Sequence, residues 1–240
     1  MATPSLLLLV ADGRFPAGAH AHSGGLEAAV AAGRVTDLPT LEEFLAGRLA
    51  TAGLVGAAFA AAAHRAAVSG NADADRAAGG AGAGRSSALA QLDAELDART
   101  AAPTLREVSR RQGRALLRAG RTIWPDAGFG DLPTTPCGVH QPLVLGLLCA
   151  AAGLSRLDTA TVAAYGTVTG AASAGVRLLG LDPYRVQALL VGLADACDGT
   201  AADAARAADG PPERLPAAAA PLADIHAEIH ATWEVRLFAS

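Results

Sequence analysis

Apolar side chains recur at helical spacing along most of the chain, and no stretch alternates as a half-buried strand does. The clearest pattern begins at Thr40-x-x-Glu43, which is typical of a capping box at a helix N-terminus. Pro103, followed by Thr104-x-x-Glu107, indicates a second helix start of the same kind. The apolar positions of the first of these helices are Leu41, Phe44, Leu45, Leu49, Val55 and Phe59. The pattern predicts an all-α protein.

The same periodicity predicts several other helices. One of them, over 159–179, follows Asp158 as its N-cap and contains Gly166, Gly170 and Gly175. An interior glycine costs about 1 kcal/mol relative to alanine, so three of them predict neighbouring backbones packed very close. A short helix is also predicted before the glycine-containing loop near the N-terminus, and the remaining helices are predicted over 25–32, 86–99, 143–152, 183–193 and 222–238.

Two stretches contain almost no large apolar side chains, and both are predicted to be mobile loops. They lie near 69–85 and 199–220 and consist mostly of Ala, Gly, Asp and Pro. Neither resembles a domain boundary. We therefore expect residues 1–240 to form one domain, a helical bundle of roughly eight to ten helices.

Composition and charge indicate how the core is built and which classes of partner are disfavoured. Hydrophobic residues make up 51% and aromatic residues only 4%, so the core must be built from Leu, Val and Ala. The net charge of −4 argues against nucleic acid and against an anionic membrane as partners. The apolar run from Leu6 to Ala11 is too short to span a membrane. The chain is expected to be soluble and cytoplasmic.

All 19 basic residues are arginines, and the missing lysine excludes two kinds of site. A Walker phosphate loop requires Gly-Lys-Ser/Thr, and a pyridoxal phosphate enzyme requires a Schiff-base lysine. Cys137, Cys149 and Cys197 form no CxxC pair, so we expect reduced, mostly buried thiols. No cofactor is predicted.

Histidine pairs near both ends are the only candidates for a metal site. His20 and His22 flank one alanine, and His226 and His230 stand four apart on the last predicted helix. No third ligand accompanies either pair, so contact residues are favoured over ligands, while a helical nickel-binding protein stays the alternative. Ser23 lacks the GxSxG frame of an elbow nucleophile. No catalytic residue is predicted.

A row of arginines between Arg106 and Arg121 follows one helix. The row could bind an acidic protein surface or a phosphate, but charged rows are often simply solvated. A binding role and a simply solvated row both stay open as interpretations. The row consists of Arg106, Arg110, Arg111, Arg114, Arg118 and Arg121.

Motifs spread over nearly the whole chain resemble the UreF family of urease accessory proteins. The segment from Leu6 to Glu27 is similar to the family's N-terminal motif, with Pro-x-Gly, a polar pair and Ser-Gly-Gly-Leu-Glu. The stretch 105–114 and Arg177-Leu-Leu resemble central helices, and the segment 230–240 resembles the closing motif. Two positions depart from the pattern: His20 replaces an aromatic residue, and Ala231 replaces a glutamate.

The resemblance implies an all-α, non-catalytic adaptor that forms a homodimer. It also implies binding to the accessory protein UreD (also called UreH), recruitment and regulation of the GTPase UreG, and nickel delivery to apo-urease. By position, the implied partner-binding residues are His20, His22, Ser23, Glu27, His230, Arg236, Leu237 and Phe238.

Overall fold

The computed structural model describes residues 4–16, 21–74 and 81–238, and these contain helices and no β-sheet. The all-α prediction is confirmed. The helices are α1 Pro4–Ala11, α2 Leu26–Ala31, α3 Leu38–Arg48, α4 Leu54–Ala74, α5 Ala81–Arg99, α6 Pro103–Ile123, α7 Gln141–Ala151, α8 Arg156–Leu179, α9 Pro183–Gly192, α10 Ala194–Ala207 and α11 Pro221–Ala231. A π-helical turn, Leu49–Gly53, joins α3 to α4, so the described residues contain ten separate helices, as expected.

The continuous helix formed by α3, the π turn and α4 lies at the centre of the fold. Its second half packs against α5, α7, α8 and α10. Small side chains permit this, because the alanines between Ala57 and Ala63 are buried and let neighbouring helices approach. Residues Leu38–Ser69 are long and apolar enough to cross a membrane, by length and composition only. Within the most apolar 18-residue stretch of this segment, 50% is buried inside the protein, which is typical of a core helix.

Several helix starts differ from the predicted ones by a few residues. Helix α3 begins earlier than Thr40, because Asp37 is the N-cap and forms a reciprocal capping box with Thr40. Ser155 takes the N-cap of α8 in the same way, with Asp158 as its partner and not as the cap. Asp182 accepts a hydrogen bond from the amide of Tyr184 at the start of α9, where the cap was expected.

Helix α6 begins at Pro103 as predicted, but the capping box expected from Thr104 and Glu107 does not form. The N-cap is Ala102, which has no side-chain acceptor. The amide of Thr104 donates instead to Glu228 Oε1 of α11, 2.9 Å away. A side chain from a distant helix thus satisfies an amide that the helix itself leaves without a partner.

The glycines of α8 do not all mark close packing. A Cβ on Gly175 would lie 3.0 Å from Leu41 Cδ2, so α3 approaches closely there. Gly166 and Gly170 have open space around them, so the prediction was wrong for these two positions. The closest helix pair lies elsewhere, since a Cβ on Gly146 of α7 would lie 2.4 Å from the carbonyl oxygen of Ala60 in α4.

The two predicted loops are shorter than expected. Helix α4 extends to Ala74 and α5 begins at Ala81, while residues 75–80 lie outside the described part of the chain. Helix α10 covers 199–207, because Ala201, Ala204 and Ala205 are buried against the rest of the bundle. The loop from 208 to 220 is irregular apart from one short 3-10 turn, Pro212–Arg214. Mobility and the single-domain organisation stay predictions.

Candidate functional site

A turn at Gly24 and Gly25 leads into α2 and is bonded by Arg48 of α3. Gly24 and Gly25 adopt positive φ angles of 63° and 88°, which residues with a Cβ rarely adopt. Gly24 also has no room for a side chain, since a Cβ would lie 2.7 Å from the Arg48 guanidinium, which donates to the Gly24 carbonyl. Burial lowers the pKa of Arg48 to about 10, so the guanidinium stays charged at neutral pH. The Ser-Gly-Gly motif is therefore a structural turn.

Glu27, in the first turn of α2, accepts hydrogen bonds from three groups near the C-terminus. His230 Nε2 lies 3.0 Å from Oε2, the Leu237 amide donates to Oε1 at 2.8 Å, and the Phe238 amide donates to Oε2 at 2.9 Å. On the other side, the Glu27 amide donates to Ser23 Oγ at 3.3 Å. One buried carboxylate thus joins the two ends of the chain.

The charge of Glu27 is favoured by these donors. Burial alone would raise its pKa, but the amides of Leu237 and Phe238, together with the His230 ring, outweigh that effect and lower the pKa below its ordinary value. Glu27 is therefore ionised at neutral pH. Hydrogen bonds to a charged acceptor are the stronger kind, so the carboxylate is well suited to hold the chain end.

Helix α11 ends at Ala231, and residues 232–238, here called the C-terminal tail, fold back toward α2. The prediction that the last helix continues to about Phe238 was wrong, because the amides of 237 and 238 bond to Glu27 and not to helix carbonyls. Phe238 is only 5% exposed, and the Arg177 guanidinium lies 4.3 Å above its ring centroid. The rings of Trp233 and His230 pack edge-on, with their centroids 4.6 Å apart.

The outer side of α11 and the tail is apolar and open to solvent. Leu222, Ile225 and Ile229 follow one face of α11 at helical spacing, and each is about half exposed. In the tail, Val235 and Leu237 are 85% and 75% exposed, and Arg236 between them is also exposed. We call these six residues the terminal surface. Exposed apolar side chains gathered on one helix face, with two more on the tail that follows it, are typical of a protein contact.

The residues predicted to bind partners fall into two sets. Ser23, Glu27, His230 and Phe238 are buried and brought together, so their direct effect is to hold the tail. Arg236 and Leu237 are exposed, and His22 is partly buried. His20 lies outside the described residues.

The second candidate site is a metal centre built on the two histidine pairs, of which His20 lies outside the described residues. Among the described residues, no three His, Cys, Asp or Glu side chains come together in a way that could hold a metal ion. His230 is buried against Glu27, whereas its predicted partner His226 is partly buried on α11. His230 therefore helps to hold the tail through Glu27.

A buried polar cluster was missed by sequence reasoning. His140 is fully buried, with Nδ1 3.0 Å from Ser109 Oγ and Nε2 3.0 Å from Asp97 Oδ1. Arg110 bridges Asp97 and Asp93, and Asp93 also accepts from the His140 amide. No spacing rule could have found these residues, because they come from α5, α6 and the segment before α7.

The cluster contains a serine, a histidine and an aspartate in hydrogen-bonded order, yet its contacts indicate a structural role. Burial, followed by the nearby Arg110 charge, lowers the pKa of His140 and keeps the ring neutral. Ser109 Oγ also accepts from the Gln141 amide at 3.3 Å. The cluster thereby fixes α5 and α6 to the start of α7.

Comparison with known proteins agrees with the motifs at both ends. The family model UreF matches residues 35–194. The urease accessory protein UreF of Mycolicibacterium vanbaalenii is 41% identical over 240 residues, which is 100% of both chains. The protein of the same name from Mycobacterium sp. strain JLS is 42% identical over the same span, and that of Mycobacterium tuberculosis strain H37Rv is 42% identical over 204 residues, 85% of this chain and 86% of its own. The chain therefore belongs to the UreF family of urease accessory proteins.

Proposed function

We propose that this urease accessory protein, which is not itself an enzyme, is an adaptor whose terminal surface recruits the other maturation proteins. In this scheme it binds UreD/UreH, and the pair recruits and regulates the GTPase UreG, which supplies nickel to apo-urease. Nickel is the cargo of the assembly and not a cofactor of this chain. The assembly works in the cytoplasm, and the adaptor acts as a homodimer.

The observation that best supports the proposal is the tail held by Glu27. The carboxylate fixes the backbone at 237 and 238, so the side chains of Arg236 and Leu237 project from an ordered segment. A partner that binds a preordered segment avoids most of the entropy cost of ordering it. Leu237, 75% exposed, and Arg236 are then available as anchors.

The two kinds of exposed residue suit two kinds of contact. The apolar row of Leu222, Ile225 and Ile229 offers area for a lasting contact, which fits UreD/UreH as the constitutive partner. Arg236 offers a guanidinium, which forms forked, charge-assisted bonds with carboxylates or phosphates. Such a group suits the GTPase, whose association must be reversible.

The substitution Arg236→Ala tests the recruitment step. Because Arg236 is exposed, we expect an unchanged fold and unchanged binding of UreD/UreH, with GTPase recruitment at least tenfold weaker and correspondingly lower urease activation. Pull-downs with purified UreD/UreH and UreG, followed by nickel-dependent activation of apo-urease, measure both steps.

The matched control is Arg185→Ala, which removes an exposed arginine of α9. The control should recruit and activate normally. Full urease activation by an Arg236→Ala protein that no longer binds UreG would refute the recruitment model. Normal UreG binding by that variant would show that the GTPase contact lies elsewhere.

A further inference from the structure

Helix α6 presents a row of exposed arginines along one side. Arg111, Arg114, Arg118 and Arg121 are all exposed and recur at intervals of three and four residues, so they share one side of the helix. Between Arg111 and Arg121 the row is about 15 Å long at the rise of an α-helix. We call these four residues the arginine row.

Two other arginines of α6 differ from the arginine row, because they form ion pairs with acidic residues of the same chain. Arg110 bonds to Asp93 and Asp97 at 2.9 and 2.8 Å, and Arg106 faces Asp97 at 4.0 Å. Within the described part of the chain, the guanidinium groups of Arg111, Arg118 and Arg121 form no ion pair or hydrogen bond, and the guanidinium of Arg114 donates to the carbonyl of Cys137. The sequence pattern alone could not separate the two sets.

Two simpler explanations account for only part of the row. The genome's evident preference for arginine over lysine explains the residue type but not the placement on one face. Cations in the last turn of a helix interact favourably with the helix dipole, which accounts for Arg121 alone. Arg111 lies in the middle of α6, beyond the reach of that effect.

We propose that the arginine row is a second docking surface, which binds a partner protein through a row of carboxylates. The whole chain has a net charge of −4, which disfavours an extended polyanion such as a nucleic acid. Charges are screened within roughly 8 Å at physiological ionic strength, so a short row still attracts a short acidic segment. Glu107, exposed on the same side of α6, limits the row at one end and favours a partner of matching length.

The row is separate from the terminal surface. Helix α11 bonds to α6 at Thr104, in the first turn, and the arginine row begins about two turns further along, at Arg111. The proposal therefore does not rest on the recruitment model. Loss of one surface should leave binding at the other intact.

The test uses the full chain and a synthetic helical peptide with glutamates at positions i, i+4, i+7 and i+11, labelled for fluorescence anisotropy. The triple variant R111E/R118E/R121E should bind this peptide at least tenfold more weakly at low salt, and wild-type binding should weaken as salt rises. The control R34E/R185E/R206E makes the same charge change at exposed arginines elsewhere and should bind within twofold of the wild type. Circular dichroism verifies folding, and R111A/R118A serves as a milder variant should the triple variant fail to fold.

Three results would overturn the proposal. Equal weakening in both triple variants would show that only overall charge matters. A glutamine version of the peptide that binds as well as the glutamate version would exclude carboxylate recognition. Tighter binding of duplex DNA or inorganic polyphosphate than of the acidic peptide would assign the row to phosphate instead.

Discussion

At the scale of single residues, Glu27 has the most consequential contacts in the molecule. Its two carboxylate oxygens accept from His230 and from two amides of the tail, and all of these bonds connect segments about 200 residues apart in sequence. Without the carboxylate, the amides of Leu237 and Phe238 would have no acceptor from the protein at this position. A buried donor left without an acceptor costs about 1–3 kcal/mol.

We therefore predict that Glu27→Gln frees the tail while leaving the bundle folded. The amide side chain cannot accept at both oxygens, so the charged bonds, worth about 1.5–3 kcal/mol each, are lost or weakened. Hydrogen exchange should show at least tenfold lower protection at the amides of Leu237 and Phe238. The control Glu43→Gln changes an exposed carboxyl on α3 and should leave tail protection unaltered. Unchanged protection in Glu27→Gln would mean that Phe238 packing alone holds the tail.

At the scale of elements, the fold depends on helices that approach closely because their facing residues are small. Helices α4 and α7 show this best, with Gly146 of α7 against Ala60 and Ala63 of α4. A methyl group at that position would overlap a backbone oxygen, which cannot rotate away as a side chain can. Helix α8 contains glycines of a different kind, since Gly170 has open space around it.

The two glycines should respond to the same substitution with opposite signs. Gly146→Ala forces α4 and α7 apart, and overpacking of this kind costs about 1–3 kcal/mol of unfolding free energy. Gly170→Ala adds no overlap and removes backbone freedom from the unfolded chain, so it should stabilise by up to about 1 kcal/mol. Urea denaturation followed by circular dichroism measures both. An unchanged free energy of unfolding in Gly146→Ala would show that α4 and α7 can move apart without loss of stability.

At the scale of the whole molecule, the structure has two surfaces proposed as contacts and, among the described residues, no group of side chains that could hold a metal ion. The terminal surface and the arginine row lie on different parts of the bundle. Cys149 is buried, and burial raises the pKa of its thiol to about 12, so it is a poor metal ligand at neutral pH. A scaffold with separate docking surfaces fits these features better than a metal carrier does.

We predict that the isolated protein shows no tight, stoichiometric nickel site in equilibrium dialysis. His230 is already bonded to Glu27, and His226 has no third ligand within the described residues. The double variant His20→Ala/His22→Ala should give the same binding curve as the wild type. One nickel bound per chain at micromolar metal, lost in that variant, would instead establish the metal-binding alternative.

Much of the helical content could be predicted from the sequence, because apolar periodicity and capping residues are local properties. The starts at Pro103 and Asp182 are confirmed, and the resemblance at both ends led to the correct family. Three of the errors share one cause, whereas the N-caps at Asp37 and Ser155 depend on local contacts. Thr104, the extent of α10 and the end of α11 were each decided by contacts with distant residues, which local patterns do not contain.

The sequence by itself therefore determined the fold class, the family and the set of residues at the two ends. Only the tertiary structure decided which of those residues face inward. Four of them are buried and hold the tail in place, namely Ser23, Glu27, His230 and Phe238. Two others, Arg236 and Leu237, are exposed to solvent. The physical reason is that a buried carboxylate must find its donors, and here the nearest ones come from the opposite end of the chain.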